Sequence, residues 1–238
     1  MGRSGPPVVG RKRSHTWGIF GVPEAELQLL PEDMTGMDAI ELGCGTAYVS
    51  SWMARRGANV VGVDLSEQQL ATARRFQAEF DLELELIEGN AEAVDRPDAS
   101  FDFAINEYGA AIWADPYRWI PEAHHLLRPG GHLVFLGHSP LVMLCSPIDG
   151  SIPTTESLER DYFDPYRLDW TDAIDDPGGI ELNLPLSKWV SLFNETGFVI
   201  EDYLEPRPAE GGSDIHFFAT ADWAHRWPSE QVWKLRKI

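Results

Sequence analysis

At 238 residues the chain is long enough for one large α/β domain with a buried core. Seven of its 19 basic residues (Arg3, Arg11, Lys12, Arg13, Lys234, Arg236 and Lys237) sit at the two tips, against 38 acidic residues in all. The body therefore carries about 26 excess negative charges, which repel polyphosphates and argue against a nucleic-acid partner. Cys44 and Cys145 suggest neither a disulfide framework nor a metal knuckle. With no apolar leader and no apolar run long enough to span a bilayer, the sequence reads as a cytoplasmic protein without a membrane partner.

Residues 1–14, rich in Gly, Pro and Arg, read as a disordered basic arm, and 15–238 as a single domain. His15 to Leu30 holds Trp17 and a short helical pattern. Five short apolar runs bounded by turn residues read as buried strands: Asp38–Gly43, Asn59–Asp64, Leu82–Glu88, Phe101–Asn106 and His132–Gly137. Helices are predicted between them, at Thr46–Arg56, at Ser66–Phe80 behind a capping box, and from Asp115-Pro116 to the Arg128-Pro-Gly-Gly131 turn. Such alternation specifies a parallel, doubly wound sheet. Ser139 to Pro185 breaks the pattern, being rich in Pro, Asp and aromatics, and reads as an insert at about 139–185. A helix at Ser187–Thr196 and strands at Phe198–Leu204 and Asp214–Ala221 follow, the last two as an antiparallel pair.

Chemistry concentrates at the strand ends. Ala39-Ile-Glu-Leu-Gly-Cys-Gly-Thr-Ala-Tyr48 runs from an apolar strand through an acidic residue into a Gly-x-Gly turn. Val60-Val-Gly-Val-Asp64 ends in an aspartate about twenty residues past the first glycine, the spacing at which a carboxylate meets ribose hydroxyls. Tyr48 stands where a dinucleotide fingerprint has its third glycine, and no Tyr-x-x-x-Lys arrangement is evident. Both features disfavour the alternative of a nicotinamide-dependent oxidoreductase. Together with Glu88-Gly-Asn-Ala-Glu92, Phe101-Asp-Phe-Ala-Ile-Asn-Glu-Tyr108 and Leu127-Arg-Pro-Gly-Gly-His-Leu-Val-Phe135, the pattern resembles the class I S-adenosylmethionine-dependent methyltransferases. The resemblance covers residues 38–137.

That resemblance implies a Rossmann-like doubly wound sheet of seven strands, mostly parallel with the last strand antiparallel. It also implies S-adenosylmethionine as cofactor. The Gly43-Cys44-Gly45 turn would hold the methionine part, with Glu41 near its ammonium. Asp64, with Leu65 and Gln69, would hold the ribose, and Asn90, Ala91 and Glu92 the adenine. Asn106, Glu107 and Tyr108 would face the reaction centre, and Trp17 would fold over the cofactor.

For the other ligand, a small organic acceptor is expected, because Trp113 and Trp170 lie in loop-like segments with Tyr108 and Tyr162 as further aromatic contacts. The insert would cap that side. Glu107 or His138, at strand ends, would supply any general base. No metal is expected, since no histidine pair has ligand spacing. The sequence leaves the acceptor atom open among oxygen, nitrogen and carbon. A non-catalytic module that binds S-adenosylmethionine is the further alternative.

Overall fold

A strand covered on both faces needs apolar side chains at successive positions, and a helix that covers it needs only one apolar stripe. The computed structural model, which describes residues 15–164, 166–171, 179–209 and 218–238, follows that division. The chain opens with a small hairpin, β1 (Thr16–Trp17) and β2 (Val22–Pro23), and a one-turn helix, α1 (Glu24–Leu27). Then come β3 (Asp38–Leu42), α2 (Tyr48–Arg55), β4 (Asn59–Asp64), α3 (Glu67–Phe80), β5 (Glu85–Glu88) and β6 (Phe101–Glu107). Helices α4 (Gly109–Trp113) and α5 (Pro116–Leu126) lead into β7 (Leu127–His138). Helix α6 (Pro140–Cys145) and a two-stranded antiparallel pair, β8 (Arg167–Asp169) and β9 (Ile180–Leu182), belong to the 139–185 segment. The remainder is α7 (Leu186–Thr196), β10 (Phe198–Leu204), α8 (Ala221–Arg226) and β11 (Glu230–Lys237).

Seven strands form one sheet in the order β10-β11-β7-β6-β3-β4-β5. Strands β5, β4, β3, β6 and β7 are parallel, and β11 runs antiparallel to both β7 and β10. Alternate residues serve opposite faces: Ala104, Leu133 and Phe135 join one core cluster, while Phe103, Ile105 and Val134 join another. Trp119, Trp189 and Phe193 fill the first cluster, and Trp17 and Met53 the second. Local signals end the helices as expected: Ser66 caps α3 by accepting from the Gln69 amide, and Asp115 caps α5 through the Tyr117 amide.

Two expectations need correction. The final strand is Glu230–Lys237; the segment Asp214–Ala221 lies partly outside the described residues, and Ala221 begins α8. The basic C-terminal residues lie in that final strand. Lys234 Nζ donates to the Leu27 and Gln28 carbonyls at 2.9 and 3.0 Å, and Lys237 Nζ to those of His124 and Leu127 at 2.7 and 2.8 Å. Strand β7 starts at Leu127, five residues early, because Phe101 pairs with Leu127 before a register shift admits Arg128 to Gly131 as a bulge. Arg128 fastens that bulge to Asp38 and Asp102 at 2.8 and 2.7 Å. The expected arm, residues 1–14, lies outside the described residues.

Candidate active site

The carboxyl ends of β3, β4, β5 and β6 open onto a continuous cleft, the place where an open α/β sheet holds ligands. One part, of about 290 Å³, lies between Asp64-Leu65-Ser66 and the Asn90-Ala91-Glu92 turn. The other, of about 320 Å³, lies over Gly43-Cys44-Gly45 and reaches Glu41, Gln69 and Glu107. Gly43, Asp64, Gly109 and Trp113 line both.

The two glycines of the turn have different reasons to be there. Gly43 takes φ +77°, and a Cβ on it would come within 2.6 Å of the Ala110 amide nitrogen, so it lets α4 pack onto the end of β3. Gly45 takes φ +52° with no atom within 4 Å of its would-be Cβ, which leaves its place open toward the cleft. Ala47, two residues on, also adopts a left-handed backbone, φ +60°. Asp64 braces the turn: its Oδ2 accepts from the Gly45 amide at 2.7 Å and its Oδ1 from the Ser66 amide at 2.8 Å. Each oxygen keeps a lone pair for a hydroxyl donor.

Three carboxylates, Glu41, Asp64 and Glu107, line the turn's side of the cleft, and among the described residues no lysine or arginine lines it. Glu41 is buried at the end of β3, and its Oε2 accepts from the Ser50 amide at 2.7 Å. Burial pushes its carboxyl up to about 8. Burial also raises Glu107, whose Oε1 accepts from the Gly18 amide at 2.6 Å and whose Oε2 accepts from the Tyr48 hydroxyl. Buried carboxylates without a cationic partner suit a ligand that brings its own positive charge. The sulfonium and ammonium groups of S-adenosylmethionine fit that requirement.

On the other side of Trp113 lies a third cleft of about 270 Å³, walled mostly by apolar side chains, among them Ile19, Ile112, Met143 and Phe218. Tyr108, His138, Trp170 and Glu181 supply its polar groups. His138 Nδ1 lies 2.7 Å from Glu181 Oε1, and Trp170 Nε1 donates to Glu181 Oε2 at 3.2 Å. Tyr108, at φ +61°, directs its hydroxyl to Glu230, which also accepts from the Ile19 amide at 2.9 Å. Burial pushes Glu230 up to about 7.

The structure thus brings Glu41, Gly43, Cys44, Gly45, Asp64, Leu65, Gln69, Asn90, Ala91, Glu92 and Glu107 together around one cleft, and Tyr108, His138 and Trp170 around the next. Trp113 lines both. Asn90 Oδ1 is engaged by the Glu92 amide, and Glu92 itself holds the Asp115 amide and Arg118. Three expected contacts lie away from both clefts. Trp17 is fully buried, donating to Glu24 at 2.6 Å and packing edge-on against Trp52, while its neighbours Gly18 and Ile19 reach the site through their amides. Asn106 is also buried: its Nδ2 donates to the Leu42 carbonyl and its Oδ1 accepts from Ala111, so it ties β3 to α4. Tyr162 faces a separate surface depression beside Arg160 and Arg167. Glu181 and Glu230 were not foreseen, since neither sits in a motif; only their places in short apolar runs hinted at burial.

A family model described as a methyltransferase domain matches residues 40–135. Over 96 residues the chain is 36% identical to a ubiquinone biosynthesis O-methyltransferase of Ruegeria pomeroyi, a match covering 40% of this chain and 39% of that one. It is 35% identical over 103 residues to a demethylmenaquinone methyltransferase of Thermus thermophilus, covering 42% and 47%. The chain therefore matches less than half the length of these curated relatives. The crystal structure of an S-adenosylmethionine-dependent methyltransferase from Mesorhizobium loti is similar over 90% of this chain and 96% of that one, with a TM-score of 0.71 and 25% identity. A counterpart from Listeria monocytogenes, at 19% identity and a TM-score of 0.71, shares the fold. With the glycine turn, the acidic strand ends and the seven-stranded order all in place, residues 40–135 match a methyltransferase domain, and the fold is the one shared with solved S-adenosylmethionine-dependent methyltransferases.

Proposed function

We propose that the protein transfers a methyl group from S-adenosylmethionine to a small, mostly apolar organic acceptor. The observation that carries this reading is the position of Trp113, whose ring belongs at once to the carboxylate-lined cleft and to the apolar one. When bound, the cofactor supplies a methyl group activated by the positive charge on sulfur. The chain's part is to hold the two ligands in line and keep water out. Asp64 would accept from the ribose hydroxyls, Glu41 would face the ammonium, and Asn90 with Ala91 would meet the adenine. Gly18 and Ile19, tied by their amides to Glu107 and Glu230, close one side. The 139–185 segment, through Met143, Trp170 and Glu181, would cap the acceptor.

The names of the curated relatives, which refer to ubiquinone biosynthesis and demethylmenaquinone, support a ring-bearing acceptor. The acidic body supports an enzyme that leaves nucleic acid alone. Glu107 is the weaker base in this reading, because the amide and the phenol that donate to its oxygens stabilise the ionised carboxylate. Calorimetry tests the reading: S-adenosylmethionine and S-adenosylhomocysteine should bind, and NAD and NADP should not. Labelled cofactor should methylate members of a small-molecule panel but not bulk RNA, DNA or histone. Tight binding of NADH would overturn it, and robust labelling of tRNA would overturn the acceptor class.

A further inference from the structure

The apolar cleft contains one arrangement that goes beyond holding a ligand. His138 ends β7 with its backbone carbonyl pinned from two sides, by Asn183 Nδ2 at 3.2 Å and Gln231 Nε2 at 3.0 Å. Its ring stands edge-on between Tyr108 and Phe218, with centroids 5.0 and 4.6 Å away. Glu181, from β9, is 3% exposed, and both its oxygens are engaged, one by His138 Nδ1 and the other by the Trp170 indole. A carboxylate accepts only, so Nδ1 is the donor in this pair, and in the neutral ring the lone pair then lies on Nε2. Among the described residues no side chain or backbone group is hydrogen-bonded to Nε2. A histidine with a fixed tautomer, a buried carboxylate behind it and a free nitrogen in a ligand-sized cleft is the geometry of a general base.

We propose that His138 Nε2 removes the proton from a hydroxyl group of the acceptor, with Glu181 as the positioning residue, so that the chain is an oxygen methyltransferase. This rests on the methyl-transfer reading above. A phenol holds its proton at neutral pH, since its pKa is about 10, as in tyrosine. The base is therefore needed for oxygen, whereas a carboxylate acceptor is already ionised. As the acceptor oxygen bonds to the methyl carbon, its proton passes to Nε2 and the carbon–sulfur bonding pair stays with sulfur. The positive charge thus moves from sulfur to the imidazole, where Glu181 stabilises it. The proton leaves to solvent with the product. Other ionisable groups facing the imidazole or its carboxylate are Tyr108, Glu230 and Arg160.

Two measurements on the full chain test this. In the first, nitrogen-15 histidine spectra are recorded with S-adenosylhomocysteine bound, the His138 signals being assigned by their loss in His138→Gln. The expected result is a protonated Nδ1 and a bare Nε2 that shifts on addition of catechol or 1-naphthol but not of their methyl ethers. Glu181→Gln should change the tautomer populations. In the second, His138→Gln should lower kcat toward these phenols by about 100- to 10,000-fold, with S-adenosylhomocysteine affinity within about twofold of wild type. Glu181→Gln should lower kcat by about 10- to 100-fold with little change in KM. A proton on Nε2, an Nε2 indifferent to every phenol, transfer to amines or thiols but to no hydroxyl, or an unchanged kcat in His138→Gln would each overturn the proposal. Wild-type protein that does not bind S-adenosylhomocysteine at all would instead overturn the methyltransferase reading.

Discussion

Three one-carbon changes within five residues of the β3–α2 turn separate what the backbone needs from what the ligand needs. Gly43→Ala places a methyl 2.6 Å from the Ala110 amide nitrogen and 2.9 Å from the Gly109 Cα, at φ +77°. The left-handed backbone costs about 1–2 kcal/mol for a residue with a Cβ. Overpacking against a backbone that cannot swing away adds about 1–3 kcal/mol. We therefore expect Gly43→Ala to lose about 2–5 kcal/mol of stability. Gly45→Ala, at φ +52° with open space around it, should lose only about 1–2 kcal/mol, because the conformational cost stands alone. Its new methyl faces the cleft, so S-adenosylhomocysteine affinity should fall more than stability does. Ala47→Gly relieves strain at φ +60° and should gain about 0.5–1 kcal/mol after the added freedom of the unfolded chain is subtracted. Urea unfolding of the three variants, with calorimetric titration of S-adenosylhomocysteine, reads both quantities. Equal destabilisation by Gly43→Ala and Gly45→Ala would refute the assignment of separate roles, and a destabilised Ala47→Gly would refute the strain argument.

Other substitutions probe the carboxylates and the buried indole. Asp64→Ala should weaken S-adenosylhomocysteine binding by about 1.5–3 kcal/mol, because a ribose loses a charged acceptor and the turn loses the Gly45 brace; unchanged affinity would remove Asp64 from the site. Glu41, raised from 4.5 to about 8 by burial, stabilises the free protein fully only below 4.5, and this contribution is lost as pH rises through 8. Stability should therefore decline across that window while affinity for the ammonium-bearing ligand climbs, by up to about tenfold per pH unit, as the carboxylate ionises. Glu41→Gln should flatten both trends, and a wild-type affinity independent of pH between 6 and 8 would contradict the placement of Glu41 beside a cation. Trp17→Phe should cost about 1–2 kcal/mol of stability through the hydrogen bond lost to Glu24, with cofactor affinity unchanged; a marked loss of affinity would return Trp17 to the cofactor site.

The glycine-turn half of the candidate site was readable in the sequence as one cluster because its determinants are local. An apolar run, an acidic end and a glycine turn occupy consecutive positions, and the backbone geometry that they demand is available to few other residues. The acceptor half depends on distant pairings. Glu181 meets His138 across 43 positions and Tyr108 meets Glu230 across 122, distances that no spacing rule covers. Trp17 misleads because an indole in an irregular segment has the same sequence surroundings whether it lines a pocket or fills a core. Asn106 misleads differently: its strand does end beside the cleft, but both ends of its amide are used to tie β3 to α4. The last strand was hidden by its charges, since Lys234, Arg236 and Lys237 look like a solvated tail until their partners on other elements are seen.

The half-exposed ring of Trp113 borders both clefts, and across it a Cβ on Gly179 would fall within 2.6 Å of the indole. One wall therefore has two tenants. If the two ligands bind as proposed, whichever arrives first would fix the orientation of the indole, and the second would meet a surface already set for it or against it. Such sharing makes the two affinities interdependent, and thermodynamic linkage requires the factor to be the same in both directions. The acceptor should thus bind the cofactor-loaded protein and the empty protein with different dissociation constants, and the cofactor should show the same ratio with and without acceptor.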